Sequence, residues 1–161
     1  MKIEPSKVSL REITAATVRA VTKLAVTEYQ NRFLAPNAVS LAQALFAPDA
    51  WYRAIYLGDE LVGFVMLSDQ SLLDPVPTRP EAFVWRFMVD ARYQYMGIGR
   101  AAMHLVIEHV RSKRVFEVLK LSYVPEPGGP ERLYRSLGFL PTGDIDDGEV
   151  IMSLRLTDSV G

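Results

Sequence analysis

The sequence has no cysteine among its 161 residues, which excludes disulfide bridges, thiolate metal ligands and cysteine nucleophiles. It has only two histidines, His104 and His109, and a spacing of five does not place them on one face of a helix. We therefore predict no metal site. No segment approaches the roughly 20 apolar residues of a membrane span, and residues 1–5 lack the apolar core of a signal peptide. These features predict a cytoplasmic protein that does not bind a membrane.

Strong charge of either sign is also missing, since the formal net charge is −1. Such a balance creates no global field that attracts nucleic acid, so no nucleic-acid partner is predicted. Hydrophobic residues make up 49% of the chain, enough for a packed core and too many for a disordered protein. The length suits one domain, and we predict a single domain over residues 1–161.

Apolar periodicity predicts helices and strands in an alternating order. Thr14 or Thr17 is expected to cap the first helix. Pro36-Asn37 breaks the chain, and residues 70–80 form a loop. Strands are predicted at residues 8–13, 52–57, 61–67, 83–89, 115–124, 139–142 and 149–156, and helices at residues 15–29, 40–46, 101–111 and 130–137. This order indicates an α+β fold with a mixed sheet and helices on both faces.

The most informative segment is Gln94-Tyr95-Met96-Gly97-Ile98-Gly99-Arg100, between an apolar strand and a helix. Glycines at such a turn let the backbone approach a bulky ligand closely. The first N–H groups of a helix lack internal partners and lie at the positive end of its dipole, where phosphate is the usual anion. We predict that the backbone amides of residues 94–101, here called the glycine turn, bind a pyrophosphate together with the Arg100 side chain.

Two alternatives compete with this prediction. Gly97 to Ala102 also fits the dinucleotide pattern G-x-G-x-x-A. That pattern requires the glycines to follow the strand immediately and an acid to end the next strand. Here polar residues 90–96 intervene, and Leu119-Lys120-Leu121 supplies no acid, which disfavours a Rossmann domain. The second alternative is a turn that binds nothing.

The motif Gln94-x-x-Gly97-x-Gly99 resembles the acetyl-CoA signature Q/R-x-x-G-x-G/A of the GNAT family of N-acetyltransferases. Downstream, Leu133-Tyr134-Arg135-Ser136-Leu137-Gly138-Phe139 resembles the L-Y-x-x-x-G-F element of that family, in the same order. The resemblance extends from about Val8 to Leu156. Within the family, residues 86–90 and 147–152 look most like bacterial diamine and polyamine N-acetyltransferases.

This resemblance implies a GNAT fold with a mixed, mostly antiparallel sheet, and acetyl-CoA as cofactor. It implies transfer of the acetyl group to a primary amine of a small molecule, by direct attack through a tetrahedral intermediate. A di- or polyamine is the favoured acceptor; an aminoglycoside, an amino acid or a protein N-terminus stays open. A homodimer is also predicted.

The resemblance also implies site residues. In the family, the strand before the glycine turn separates from its neighbour, and freed backbone groups pair with the cofactor. By position these are Met88 and Val89, with the Val89 N–H as the donor to the carbonyl oxygen. Tyr134 is the predicted acid that protonates the departing thiolate, and it contacts the cofactor. The predicted cofactor-binding set is Met88, Val89, Gln94, Tyr95, Met96, Gly97, Ile98, Gly99, Arg100, Ala101 and Tyr134.

The general base is less determined. An alkyl amine has a pKa near 10.4 in water, so most of the substrate arrives protonated. Some family members carry a glutamate on the central strand at the position of Phe83. Glu81, on the same face, and Glu149 are the predicted catalytic carboxylates; Glu28 and Asp90 are alternatives acting through water.

The sequence departs from the family at two positions. The pattern N-x-x-A-x-x-L-Y has Pro127 and Pro130 here, so the asparagine contact to the cofactor is missing. This departure keeps open a non-catalytic acyl-CoA-binding module. A nucleotide-binding regulator is a third hypothesis.

Overall fold

The computed structural model of the chain describes residues 2–157, and these build a seven-stranded sheet around which the helices pack. The strand order is β1-β2-β3-β4-β5-β7-β6. Neighbouring strands are antiparallel except β4 and β5. The strands are β1 (Val8–Arg11), β2 (Ala50–Leu57), β3 (Glu60–Asp69), β4 (Ala82–Val89), β5 (Val118–Tyr123), β6 (Leu140–Asp146) and β7 (Glu149–Arg155). The predicted α+β fold with a mixed, mostly antiparallel sheet is confirmed.

Helices cover both faces of the sheet, as predicted. They are α1 (Val18–Lys23), α2 (Asn37–Ala44), α3 (Ile98–Ser112) and α4 (Glu131–Ser136). On β3, Val65 packs into the core cluster that contains α3, whereas its neighbours Phe64 and Met66 pack into the cluster that contains Val21 of α1. Side chains of a strand alternate between its two faces, so one strand contributes to two apolar cores.

Helix α3 carries the main core on one face. Its buried side chains recur at helical spacing, and Ala102, Val106 and Val110 are among them, whereas His104 and Glu108 are exposed. A fully buried valine contributes about 1.5–3 kcal/mol to stability. The parallel connection of β4 to β5 runs through α3, which fixes where this helix begins relative to the end of β4.

The sequence predicts a helix over residues 15–29, but α1 ends at Lys23. Leu24 is extended and buried against the sheet, and the Ala25 N–H donates to Asp90 Oδ2 at 3.0 Å. These tertiary contacts override the helical pattern of the apolar residues. Of the two predicted caps, Thr17 occupies the N-cap position, but its side chain forms no capping hydrogen bond.

The hairpin of β6 and β7 is longer than predicted, because β6 continues to Asp146. The connecting residues Asp147 and Gly148 have φ angles of 48° and 79°. Positive φ at both central residues is typical of the tight hairpin turn that matches the twist of the strands. The turn pairs Asp146 directly with Glu149, so two carboxylates stand together at the end of the hairpin.

Candidate active site

Strands β4 and β5 separate in the middle of the sheet. Their parallel pairing covers only Ala82 to Val84 on β4 and Leu119 to Leu121 on β5. Immediately afterwards, Trp85 has no partner on β3, because Met66 pairs with Arg86 and Leu67 with Val84. An extra residue of this kind is a β-bulge, which bends a strand and increases its twist. The bulge therefore accompanies a gap between the remaining halves of the two strands.

The backbone of β4 faces this gap at alternate residues. The Asp90 N–H donates to Val62 O at 2.8 Å, which makes these two residues a hydrogen-bonded pair of the antiparallel ladder. Such pairs alternate along a ladder, so Met88 directs its peptide groups to β3, and Phe87 and Val89 direct theirs to the gap. The peptide groups of Val89 thus face the gap, as expected of the predicted donor, whereas those of Met88 pair with β3 and those of Phe87 face the gap instead.

The glycine turn connects the end of β4 to α3. Gly97 is the N-cap residue, with a φ of 92°, and α3 begins at Ile98. The amides of Ile98, Gly99 and Arg100 are in the first turn, where a helix offers them no carbonyl partner. The Ala101 N–H instead donates to Gly97 O at 3.2 Å, so this predicted ligand of the pyrophosphate is occupied within the helix.

The remaining predicted residues of the turn are placed differently. Gln94 uses its side-chain amide to donate to Val89 O at 2.9 Å and to Gln30 Oε1 at 2.8 Å. It therefore fixes the turn against the end of β4. Tyr95 is 93% exposed at the cavity mouth. Met96 does not line the cavity: its side chain packs against the core, and its carbonyl accepts from the Ile3 N–H at 3.1 Å.

Replacing Gly97 by alanine should lower the free energy of unfolding by about 1–2 kcal/mol, the cost of a left-handed conformation for an L residue. The cost is conformational, since an added Cβ would lie 4.0 Å from the nearest side chain, that of Ile3. Gly99→Ala is the matched control: its φ is not positive, and its Cβ would make an ordinary contact at 3.7 Å with Leu133. Urea unfolding of both variants measures the difference, and equal losses would contradict the expectation.

A cavity of about 650 Å³ occupies the gap and continues to the glycine turn. Its walls include Phe87 and Val89 on β4, Tyr123 on β5, and the first turn of α3. The loop with Pro127 and Pro130 forms the wall where the family pattern has its asparagine and alanine. Unpaired strand and helix amides around one elongated cavity fit a ligand with a diphosphate and an amide-containing arm, which is the chemistry of coenzyme A.

A second cavity of about 290 Å³ adjoins the first on the side of the β6–β7 hairpin. Strand residues 83–87, Leu121, Asp146 and Glu149 contribute to its lining. Six residues line both cavities and mark their junction: Phe33, Leu34, Phe87, Ser122, Tyr134 and Glu149. Two of the predicted catalytic residues, Tyr134 and Glu149, thus meet at this junction.

Tyr134 lies on α4 and is 7% exposed. Its ring packs against Tyr123 and Phe139, with centroids 6.2 and 6.0 Å away. Burial raises the pKa of the Tyr134 phenol to about 12, because the phenolate would lose its hydration. The phenol therefore stays protonated at neutral pH, the form that a proton donor requires.

The raised pKa predicts a loss of stability in alkali. An unfolded tyrosine ionises near pH 10, whereas folded Tyr134 holds its proton to about pH 12. The stabilisation is complete below pH 10 and is lost as the pH rises to 12, by about 2–3 kcal/mol. Urea unfolding of the wild type and of Tyr134→Phe across this range isolates the contribution. Parallel curves for the two proteins would contradict the assigned burial.

The structure separates the predicted carboxylates. Glu149 is half-buried at the junction, but Glu81 precedes β4, is exposed, lines neither cavity and lies 4.0 Å from Lys120 Nζ. Glu28 is exposed and also outside both cavities. Burial acts to raise the pKa of the Asp90 carboxyl, but hydrogen bonds from Arg92 and from the Ala25 amide outweigh it and bring that pKa below its ordinary value, so the carboxyl is an ionised structural acceptor. Glu149 is the one of these four acids at the junction.

Two charged residues of the second cavity are not among the predicted site residues. Asp146 falls in the segment interpreted as a loop, and only its pairing with Glu149 brings it to the cavity. Arg86 falls within an apolar strand pattern, where an arginine suggests an exposed position. It is half-buried and lines the second cavity. The signal in the sequence that pointed to a special role for Arg86 was an arginine within an otherwise apolar run.

Residues 2–157 contain neither a membrane-spanning helix nor a cluster of metal-binding side chains. No helix in this range combines the length and apolar character needed to traverse a lipid bilayer. Nor do three or more histidine, aspartate or glutamate side chains gather there in a way that would hold a metal ion.

Comparison with known proteins identifies the family. A sequence model of the Acetyltransferase (GNAT) family matches residues 18–139. Spermine/spermidine N(1)-acetyltransferase of Bacillus subtilis (strain 168) is 25% identical over 150 residues, which cover 92% of this chain and 99% of that protein.

Solved structures show the same fold at low identity. The ribosomal-protein-S18-alanine N-acetyltransferase from Escherichia coli has a TM-score of 0.67 at 19% identity, covering 93% of this chain and 94% of that one. A GNAT family acetyltransferase from Elizabethkingia anophelis, solved with acetyl-CoA bound, has a TM-score of 0.64 at 15% identity, covering 92% and 98%. The model of the family matches most of this chain. The chain therefore belongs to the GNAT acetyltransferase family and is an acetyl-CoA-dependent N-acetyltransferase.

Proposed function

We propose that the protein acetylates a primary amine of a small molecule, bound in the 290 Å³ cavity, with Tyr134 as proton donor and Glu149 as proton acceptor. One observation supports this proposal: a larger and a smaller cavity share a junction, and these two side chains are among the six residues that line it. A donor and an acceptor of protons at one junction are what acyl transfer between two substrates requires.

The larger cavity supplies the binding groups. The peptide groups of Phe87 and Val89 face the gap and supply donors for a carbonyl oxygen and for an amide-containing arm. The free amides of Ile98, Gly99 and Arg100 hold the diphosphate. The Arg100 guanidinium, which donates to Ser136 Oγ, stands exposed beside them for a further phosphate contact. Acetyl-CoA bound there would supply the acetyl group as a thioester, with the coenzyme A thiol as the leaving group.

Glu149 has the position of the base. An alkyl amine with a pKa near 10.4 is mostly protonated at neutral pH and must lose a proton before it attacks. The Glu149 carboxylate lies at the junction, where it receives that proton directly or through water. Asp146, its partner across the hairpin, adds a second negative charge that attracts a cationic amine into the cavity.

By resemblance to its relatives alone, a di- or polyamine would be the first candidate for the acceptor. The Bacillus subtilis relative is named for spermine and spermidine, and the paired acids Asp146 and Glu149 suit a cationic substrate. Two other acids are paired within the protein and line neither cavity: Asp49 accepts from Ser68 Oγ, and Asp69 is paired with Lys113 Nζ at 2.6 Å. The acidic surface of this cavity is therefore small.

The sequence also kept open a non-catalytic acyl-CoA-binding module because of Pro127 and Pro130, which line the cavity wall. Membership of an acetyltransferase family disfavours this alternative. Thermal melting with CoA, followed by CoA-thiol release over a panel of amines, separates the two. A melting shift with turnover of at least one amine supports the enzyme. A melting shift with no turnover of any amine, unaffected by Tyr134→Phe, supports the binding module. Stabilisation by nucleotides instead of CoA would refute both.

A homodimer and a cytoplasmic location stay predictions from the sequence. Sedimentation at several protein concentrations tests the first, and fractionation of cells that express the full chain tests the second.

A further inference from the structure

The second cavity contains a cation beside its two acids. Arg86 follows the bulge residue Trp85 on β4 and lines this cavity together with Asp146 and Glu149. The guanidinium of Arg86 repels each ammonium group that enters the cavity, so its presence disfavours a polyamine as the ligand. The presence of Arg86 therefore bears on which amine is accepted.

Arg86 is incompletely satisfied by the protein. Its Nη1 donates to the carbonyl of Trp85 at 3.0 Å, and its Nη2 lies at 3.5 Å from Gln43 Oε1, the outer limit of a hydrogen bond. Its Nε is buried without a partner. Within residues 2–157, no carboxylate oxygen lies within 4.0 Å of the guanidinium.

The electrostatics of Arg86 also indicate a cation that has no carboxylate paired with it. Burial lowers the pKa of Arg86, and the negative charge of Glu149 raises it in part. Glu149 is thus near enough to affect the pKa of Arg86 but too far away to form an ion pair with it. An arginine remains charged at any physiological pH, so the cavity presents a desolvated cation and a separate carboxylate.

We propose that the acceptor carries an anionic group, a carboxylate, in addition to its primary amine, and that Arg86 binds this group while the amine lies toward Glu149 and Tyr134. The proposal rests on the proposed function and specifies its substrate class: small aminocarboxylates rather than polyamines. The reaction itself is unchanged. The N–C bond forms and the C–S bond breaks. The ammonium loses one proton to Glu149 before the attack; the sulfur receives a proton from Tyr134, and the second proton that leaves the nitrogen restores the Tyr134 hydroxyl.

The physical reason is the balance of charge in a small volume. A carboxylate on Arg86 forms charge-assisted hydrogen bonds with a donor group that is otherwise poorly paired, and each is worth about a tenfold to hundredfold change in affinity. A second ammonium at the same place meets the positive charge of the guanidinium instead.

The test uses acceptors that differ only in the remote group. Aminocarboxylates of increasing length, from an α-amino acid to 6-aminohexanoate, are each compared with the diamine and the alkylamine of equal length. Thiol release gives kcat/KM for each, and spermidine is included. We expect the wild type to prefer the aminocarboxylate of the best length at least about tenfold over its diamine. Preference for the diamine or for spermidine at every length would overturn the proposal.

Variants assign the preference to Arg86. Arg86→Gln should abolish it, with the loss in the aminocarboxylate KM and little change for the alkylamine, and Arg86→Lys should retain part of it. Arg53→Gln is the matched control, since Arg53 is also a half-buried strand arginine that donates to the carbonyl of the preceding residue, at 2.7 Å, but lines neither cavity. An aminocarboxylate preference that survives Arg86→Gln would overturn the assignment.

Binding distinguishes this proposal from the enzymatic one. Calorimetric titration of the CoA complex with the aminocarboxylate and its diamine does not need turnover. If no amine is acetylated but the aminocarboxylate binds the wild type and not Arg86→Gln, the catalytic roles fail and the Arg86 site stands. If amines are acetylated but the aminocarboxylate binds no better than its diamine, the Arg86 site fails and the catalytic roles stand.

Discussion

Tyr134→Phe should lower kcat by about a hundredfold and leave acetyl-CoA binding nearly unchanged. Proton donation in the transition state typically contributes 10²–10⁴-fold, and the change removes only the hydroxyl. The ring contacts with Tyr123 and Phe139 remain, so the walls of both cavities should keep their shape. Single-turnover kinetics measure the chemical step, and CoA titration by calorimetry measures binding.

The comparison for this change is Tyr52→Phe, which removes a half-buried phenol of β2 that lines neither cavity. It should change kcat less than twofold. Because the pKa of Tyr134 is about 12, loss of its proton cannot explain a fall in wild-type activity below pH 10. A Tyr134→Phe enzyme with wild-type kcat would refute the proton-donor role, whatever its stability.

Glu149→Gln should lower kcat/KM for the amine by about a hundredfold near pH 7. The amide keeps the shape of the side chain but cannot accept the proton of the ammonium. The deficit should shrink as the pH approaches the amine pKa of about 10.4, since the free amine then arrives without help. A pH profile of kcat/KM for both proteins measures this, and a deficit that is the same at pH 7 and pH 9.5 would contradict a role in deprotonation.

Glu81→Gln is the direct comparison, because the sequence leaves Glu81 and Glu149 as equal candidates. Glu81 lines neither cavity and stands near Lys120 at the surface, so we expect less than a twofold change in kcat/KM. A surface ion pair contributes at most about 1 kcal/mol, so stability should also be little affected. A large loss with Glu81→Gln and none with Glu149→Gln would reverse the assignment of the base.

Local patterns in the sequence were enough to predict most of the fold. Strand alternation and the apolar stripe of α3 follow from side-chain burial, which a sequence records directly, and the sheet forms where they predict it. The prediction of α1 was wrong after Lys23 because Leu24 and Ala25 make contacts with the sheet and with Asp90, far along the chain. Helix caps and helix ends depend on such long-range contacts, and the apolar spacing of residues 15–29 does not reveal these contacts.

The site was predictable where it is built from neighbours in the chain. The glycine turn is a local structure: Gly97 adopts a positive φ and the next three amides are freed because a helix begins there. Within the same turn, the Ala101 amide proves to be paired, since the first helical bond falls on it. The orientation of Phe87 and Val89 depends on ladder pairing with β3, which a sequence does not specify.

The sequence by itself determined the α+β fold, the family motifs and the glycine turn, because each depends on residues a few positions apart. Only the tertiary structure decided that Glu149 rather than Glu81 reaches the junction, and that Asp146 and Arg86 share its cavity. The reason is physical: β4 and the β6–β7 hairpin come from distant parts of the chain. Their charged side chains meet only through the order of the strands and the gap that follows the bulge at Trp85.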